Sequence, residues 1–164
     1  MEYKEGIGLY GGTFDPVHNG HVRVAAIIKQ MPFISDLWIH VNYKPHYKKP
    51  MLSFYLRKIL AFSLDANIID GEYNYTHQAL RNLRKIYGRK MPIYYFVGKE
   101  WDICKFKNAE YVMRNCIVIP IPKIEISIRS TQIREMIRKG ELLDGLCPDV
   151  VIRNIEANKH EISI

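Results

Sequence analysis

Near its N-terminus the chain reads Gly11-Gly12-Thr13-Phe14-Asp15-Pro16-Val17-His18-Asn19-Gly20-His21, and this segment is the most informative about the fold. The residues just before it, Ile7 to Tyr10, are apolar on both faces, which predicts a buried strand. Beyond it, apolar side chains recur at helical spacing, at Val24, Ile27, Ile28 and Met31. The stretch is therefore a short turn that joins a strand to a helix.

The same alternation continues along the chain. Further apolar runs predict strands at Leu37–Val41, Ile93–Val97 and Cys116–Ile121, with a weaker strand at Asn67–Ile69. Helical spacing separates them, at Leu52, Tyr55, Leu56 and Ile59 and again at Ala79, Leu83 and Ile86; two further helices are expected at Ile133–Gly140 and from Pro148. We predict an α/β fold: a Rossmann-like, doubly wound parallel sheet of about five strands, with helices on both faces and a small C-terminal helical extension.

Size and composition favour one domain spanning residues 1–164, with a formal charge of +7 that biases the surface toward anionic partners. Three cysteines without a C-x-x-C pair exclude a disulfide framework or zinc ribbon, so each is expected to fill apolar space. Charged residues at the N-terminus and the lack of a long apolar stretch predict a cytoplasmic protein that does not contact a membrane.

The glycine-rich turn has the chemistry of an anion site. Gly11 and Gly12 let the backbone approach a ligand closely, and the free amides at the start of the next helix point toward it. His18 and His21 lie three residues apart at the mouth of that helix, beside Gly20. Two imidazoles in this position can donate hydrogen bonds to phosphoryl oxygens during displacement.

A structural interpretation of the two histidines stays open. His18 would then cap the helix, and His21 would pack against the sheet. Zinc binding is disfavoured, because the other four histidines are scattered and supply no third ligand at metal spacing. The glycine turn beside the pair favours phosphate binding.

This string resembles the signature of the nucleotidyltransferase α/β-phosphodiesterase superfamily, and its H-x-G-H form is similar to the nicotinate-nucleotide adenylyltransferases. The resemblance implies that His18 and His21 are catalytic and that Gly11, Gly12, Thr13, Phe14 and Gly20 bind the phosphates of ATP. Most positions of the string are specified by the family pattern, so the match is specific.

A second segment, Ile126–Arg134, resembles the family's I-S-S-T-x-I-R element, which binds ATP phosphates at a helix start. Ser130 and Thr131 offer hydroxyls and amides there, and Arg134, one turn later, offers a planar fork for phosphate. The resemblance assigns Arg134 to catalysis and Ile133 to the ATP site. An ordinary Ser/Thr helix cap with a solvated arginine is the alternative.

Weaker matches extend the resemblance over nearly the whole chain. Lys44–Lys49, followed by Ser53 and Arg57, is similar to the family's P-H-K loop and S-x-x-x-R helix, with Tyr47 as an apparent insertion, and it places Lys48 on phosphate. Residues 75–80 resemble the Y-T-x-x-T-L segment that holds the pyridine nucleotide, which implies an acceptor contact from Thr76. Residues 145–150 resemble the family's C-terminal L-V-P-x-x-V helix entry.

The segment Val97–Asp102 departs from the family, which has G-A-D followed by a tryptophan that stacks on the pyridine. Glu100, after Gly98, is predicted to replace the ribose-binding aspartate. Trp101 or Phe106 is predicted to supply the stacking ring, with core or rim packing as the alternative for both.

The resemblance implies transfer of AMP from ATP to nicotinate mononucleotide, with Mg²⁺ bridging the departing pyrophosphate and no metal site made by the protein itself. Adenylyl transfer to 4′-phosphopantetheine and cytidylyl transfer are alternatives on the same fold, as is a catalytically silent nucleotide sensor. A basic nucleic-acid-binding module is disfavoured, because no motif accompanies the charge. The expected partners are ATP and a mononucleotide, without nucleic acid; homo-oligomer formation is left open.

Overall fold

The computed structural model of the chain describes residues 3–121 and 128–162. Five strands form one parallel sheet in the order β3-β2-β1-β4-β5. Their bounds are β1 Gly6–Gly12, β2 Ile34–Val41, β3 Asn67–Ile68, β4 Ile93–Val97 and β5 Ile117–Pro120. The predicted α/β fold is confirmed, including its weakest strand.

The strand order reverses at β1. From β1 the chain moves outward to β2 and β3 on one side, then returns to place β4 and β5 on the other. In such a sheet, a crevice opens between the carboxyl ends of the two strands that flank the reversal. The glycine turn follows β1 at this point, so the topology places it at the edge of the crevice.

Six α-helices lie among the described residues. They are α1 Asn19–Lys29, α2 Phe54–Ala61, α3 Thr76–Tyr87, α4 Ala109–Asn115, α5 Ser130–Lys139 and α6 Asp149–Ala157. The predicted helix ends at Gly140 and Pro148 are confirmed as the caps of α5 and α6. Helix α4 was not predicted, since its seven residues span only two turns and show little periodicity.

The helices cover both faces of the sheet and create two apolar cores. One core contains Phe14, Val17, Ile28 and Ile39, together with Ile133 from α5 and Val151 from α6. The other core contains Leu9, Tyr95 and Val97 with residues of α3 and α4, namely Ala79, Leu80, Leu83 and Val112. Successive residues of β1 therefore point to different cores: Leu9 faces α3 and Tyr10 faces the other core.

Two expectations about buried residues need correction. The run Cys116–Ile121 was expected to form a buried strand, but β5 lies at the edge of the sheet and leaves Ile117 47% exposed. The run nevertheless contacts both cores, since Ile119 packs against one and Val118 against the other. Cys147 is buried as expected, whereas Cys104 is exposed and does not fill apolar space.

No helix among residues 3–121 and 128–162 is both long and apolar enough to span a membrane.

Candidate active site

A cavity of about 630 Å³ opens at the carboxyl ends of the central strands. Its wall includes twelve of the seventeen residues predicted for the site: Gly11, Gly12, Thr13, Phe14, His21, Lys48, Thr76, Gly98, Glu100, Trp101, Phe106 and Ser130. These residues come from seven separate parts of the chain. The sheet topology brings them together, because parallel strands end at one edge.

His18 and His21 form a reciprocal cap at the start of α1. The backbone N–H of Gly20 donates to His18 Nδ1 at 3.1 Å, and the backbone N–H of His18 donates to His21 Nδ1 at 3.2 Å. An Nδ1 that accepts must be unprotonated, so each neutral ring carries its proton on Nε2. Both Nε2–H groups are therefore donors.

The two imidazoles stack with ring centroids 3.8 Å apart. Burial lowers the pKa of His18 to about 4. Burial likewise lowers the pKa of His21 well below its ordinary value, and the neighbouring His18 and Lys48 lower it further. Both rings are thus neutral near pH 7 and can serve as hydrogen-bond donors rather than as charges.

The structure separates the positions of the two histidines. His21 lines the cavity, whereas His18 is buried behind it and does not. The capping alternative is correct for His18 and applies to His21 as well, yet capping uses only Nδ1 of each ring. Gly20, whose amide donates to His18, lies outside the cavity wall.

Lys48 lies on the cavity wall near the histidine pair. Burial lowers the pKa of its ammonium, and the guanidinium of Arg134 lowers it further, while the Asp15 carboxylate opposes both. Lys48 also lies 5.5 Å above the ring of Tyr47. A cation that is partly desolvated beside other cations is well suited to receive a polyanion.

Arg134 is held away from the cavity by other contacts. Its Nη1 donates to the backbone carbonyl of Asp15 at 2.9 Å and lies 3.6 Å from the Asp15 carboxylate, and its Nη2 donates to Thr131 Oγ1. Neither Arg134 nor Thr131 lines the cavity. In this arrangement, the predicted phosphate ligand Arg134 positions the glycine turn.

Ile133 and Ser130 have different positions within α5. The side chain of Ile133, which was assigned to the ATP site, is fully buried in the core and does not line the cavity. Ser130 lines the cavity as the first residue of α5, and its hydroxyl donates to the carbonyl of Pro16. Ile126 and Ser127, which begin the predicted segment, lie outside the described residues.

Two charged residues missing from the predicted site hold its loops together. The Asp15 carboxylate accepts the backbone N–H groups of Met51 and Leu52, each at 2.9 Å. Arg57, 1% exposed, donates to four backbone carbonyls, those of Thr13, Asn42, Tyr43 and Leu52. A sequence signal existed for Arg57: it shares one face of α2 with the apolar Phe54 and Ala61, where a charge implies buried partners.

Several aromatic side chains line the cavity. Trp101 packs against Tyr47 at 5.3 Å and against Phe106 at 6.2 Å between ring centroids. Tyr47 Oη is hydrogen-bonded to Thr13 Oγ1 at 2.8 Å, so the residue that looked inserted links the glycine turn to these aromatic side chains. Thr76 Oγ1 lies 3.3 Å from Tyr95 Oη. The cavity wall thus combines cationic and aromatic side chains.

Comparisons with known proteins give the family and agree with the fold. The family model "Cytidylyltransferase-like" matches residues 9–136. A protein of Thermoanaerobacter sp. (strain X514) named "Probable nicotinate-nucleotide adenylyltransferase" is 26% identical, and the match covers 95% of this chain and 94% of that protein. A protein of the same name from Wigglesworthia glossinidia brevipalpis is 27% identical, and the match covers 90% of this chain and 82% of that protein. The structure of Plasmodium falciparum nicotinic acid mononucleotide adenylyltransferase complexed with NaAD shares the fold, with a TM-score of 0.73, 15% identity and coverage of 96% and 97%.

Proposed function

The chain belongs to the cytidylyltransferase-like family, and on that premise we propose that it is a nucleotidyltransferase that transfers AMP from ATP to nicotinate mononucleotide. The products are deamido-NAD and pyrophosphate, which makes the reaction a step of NAD biosynthesis. The names of the relatives support this choice of acceptor over others used by the same fold.

One observation carries the proposal: a single cavity is lined by His21, Lys48 and Ser130 and also by Trp101 and Phe106. The first three residues offer donors and positive charge for a triphosphate. The two aromatic residues offer flat rings for a heteroaromatic base. A reaction that joins two nucleotides needs both kinds of group in one space.

The proposed mechanism is direct displacement. An oxygen of the acceptor's 5′-phosphate attacks the α-phosphorus of ATP, and the bond to the bridging oxygen of pyrophosphate breaks. The Nε2–H of His21 donates to an α-phosphate oxygen as its negative charge grows, while the stacked His18 holds that ring. Lys48 holds the leaving pyrophosphate, and Arg134 fixes the turn through Asp15.

Mg²⁺ enters this proposal as part of the MgATP substrate. Within residues 3–121 and 128–162, no group of three or more His, Cys, Asp or Glu side chains is arranged to hold a metal ion. The nearby carboxylate of Asp15 is occupied by two backbone amides and by Arg134. A cation that bridges the phosphates then needs few ligands from the protein.

The proposal also covers location and partners. It places the protein in the cytoplasm, with ATP and a mononucleotide as its partners and no role for nucleic acid or a membrane.

Pyrophosphate release from ATP, Mg²⁺ and candidate acceptors tests the proposal directly. Nicotinate mononucleotide should support release, and 4′-phosphopantetheine and nicotinamide mononucleotide should support far less. Thermal-shift measurements with the same compounds report binding without turnover. If only 4′-phosphopantetheine supports pyrophosphate release, that compound and not nicotinate mononucleotide is the acceptor. If ATP stabilises the protein but no acceptor supports release, the protein is a nucleotide sensor.

A further inference from the structure

Tyr47 contacts three separate parts of the cavity wall. It lies in the loop between β2 and α2. Its Oη is hydrogen-bonded to Thr13 Oγ1 in the glycine turn at 2.8 Å, and its ring packs against Trp101, after β4, at 5.3 Å between ring centroids. The ammonium of its neighbour Lys48 lies 5.5 Å from the centre of the same ring. One side chain thus joins loops that follow three different strands of the sheet.

The groups that Tyr47 contacts are assigned to different substrates. Thr13 and Lys48 are proposed to bind the triphosphate of ATP, and Trp101 is proposed to stack on the base of the acceptor. All four residues line the same cavity. The position of the Tyr47 side chain therefore affects the binding of both substrates. The inference rests on the proposed function, which brings ATP and the mononucleotide into this cavity together.

Tyr47 is not fixed by the packing of the protein interior. It is 44% exposed and belongs to neither apolar core, whereas Tyr95, on the same cavity wall, is 4% exposed and lies in one of them. A half-exposed side chain keeps rotamer freedom, which it loses when its neighbours become fixed. A substrate that binds beside Thr13 and Lys48, or beside Trp101, restricts the Tyr47 ring. The second substrate then meets a ring that is already in place and binds more tightly.

We propose that Tyr47 is a positioning residue that makes ATP and the acceptor bind cooperatively. The triphosphate fixes Lys48 and the glycine turn, the hydrogen bond from Thr13 fixes Tyr47, and the ring of Tyr47 fixes Trp101. In the reverse direction, an acceptor stacked on Trp101 fixes Tyr47 and, through it, the groups that hold the phosphates. By linkage, each substrate must raise the affinity for the other by the same factor.

Calorimetric titration measures this factor directly. The dissociation constant of nicotinate mononucleotide is determined with Mg²⁺ alone and again with Mg²⁺ and saturating α,β-methylene-ATP, in which the bond that would break is not cleavable. In wild type, the ATP analogue should lower that dissociation constant about fivefold or more. Titration of the analogue with and without saturating nicotinate mononucleotide should give the same factor.

Variants of the hydrogen-bonded pair show whether the coupling passes through Tyr47. Tyr47→Leu should bring the factor close to one, and Tyr47→Phe, which keeps the ring and loses only the hydroxyl, should retain part of it. Thr13→Val removes the partner hydroxyl and should lower the factor as much as Tyr47→Phe does, with no further loss in the double variant. A residue that only stabilised its loop would weaken the binding of each substrate and leave the factor unchanged.

Tyr55→Phe is the matched control. It removes a hydroxyl that donates to Glu72 from an exposed tyrosine outside the cavity wall, so the variant should keep the wild-type factor. A wild-type factor of one or less would overturn the proposal, and so would a wild-type factor that persists in Tyr47→Leu.

Pyrophosphate release by wild type separates this inference from the proposed function. If wild type releases pyrophosphate but the factor does not depend on Tyr47, the coupling alone is rejected. If release identifies a different acceptor, the same titrations with that compound decide the coupling. If no acceptor binds or supports release, the proposed function fails, and the coupling fails with it because there is no second substrate.

Discussion

His18 and His21 stack with centroids 3.8 Å apart, and the backbone N–H of His18 donates to the ring of His21. The same side chains thus begin helix α1 and place an Nε2–H donor at the cavity. Structure and proposed chemistry use opposite nitrogens of the His21 ring. They can therefore be separated by mutation.

Replacing His21 with alanine should lower kcat about 10² to 10³-fold, since a donor that stabilises the transition state is lost. The variant also loses one cap contact, which costs about 1 kcal/mol of unfolding free energy. His21→Gln keeps an acceptor for that contact and should be equally slow but nearly as stable. Pyrophosphate release and urea unfolding measure the two effects.

Asn19→Ala is the matched control, because Asn19 lies on the same first turn but donates to Gly145 outside the cavity. It should lose stability without a large loss of kcat. Near wild-type turnover in His21→Ala would reject the role proposed for this histidine.

Stability should fall below about pH 6.5 because of His18. Its pKa is about 4 in the folded chain and 6.5 ordinarily, so between these values the unfolded chain binds a proton that the folded chain does not. The unfolding free energy contributed by this group is therefore complete above pH 6.5 and falls, by on the order of 3 kcal/mol, as the pH drops toward 4. Urea unfolding at several pH values measures the slope.

His18→Asn keeps a side chain able to cap α1 and removes the titrating ring. The unfolding free energy of this variant should therefore change less steeply with pH than that of wild type. Burial also lowers the pKa values of His21, His40 and His77, which are present in both proteins and give a common background. Identical slopes in wild type and variant would contradict the assignment.

Lys48→Ala should lower kcat/KM for ATP about 10- to 100-fold, because a charge-assisted contact to the triphosphate is lost. Kinetics at varied ATP concentration measure this loss. Lys44→Ala is the control: Lys44 is exposed, lies 4.9 Å above the Tyr43 ring and is not on the cavity wall. If the two lysine variants lose activity equally, general surface charge rather than a specific contact attracts ATP.

Arg57→Lys should reduce the unfolding free energy by about 2 to 4 kcal/mol. A lysine cannot reproduce the fork that donates to four backbone carbonyls, and buried acceptors are left unpaired. Urea unfolding measures the loss, with the exposed Arg138→Lys as a control that should change little. If the unfolding free energy of Arg57→Lys equals that of wild type, the loop carbonyls have found other hydrogen-bond donors.

Binding of the acceptor should quench the fluorescence of Trp101. The chain has two tryptophans, and Trp38 is bonded to Tyr87 away from the cavity wall. Titration with nicotinate mononucleotide should therefore quench the fluorescence of the Trp38→Phe variant and leave the fluorescence of the Trp101→Phe variant unchanged. Quenching that persists in Trp101→Phe would place the pyridine ring elsewhere.

The amino-acid sequence alone was enough to predict the sheet, most helices and the position of the glycine turn. Apolar runs, helical spacing and a glycine turn are local signals, and they do not depend on distant partners. The short helix α4 was missed because its few residues carry little periodicity. Strand β5 was predicted but not its place at the edge, because composition does not reveal which strand lies at an edge.

Only the tertiary structure decided which side chains open into the cavity. Arg57 reaches Thr13 across 44 positions, and Tyr47 reaches both Thr13 and Trp101. It also assigned Arg134 to Asp15 and Ile133 to the core. These contacts depend on how the loops pack once parallel strands bring their carboxyl ends to one edge, and residues far apart in sequence carry no local record of that packing.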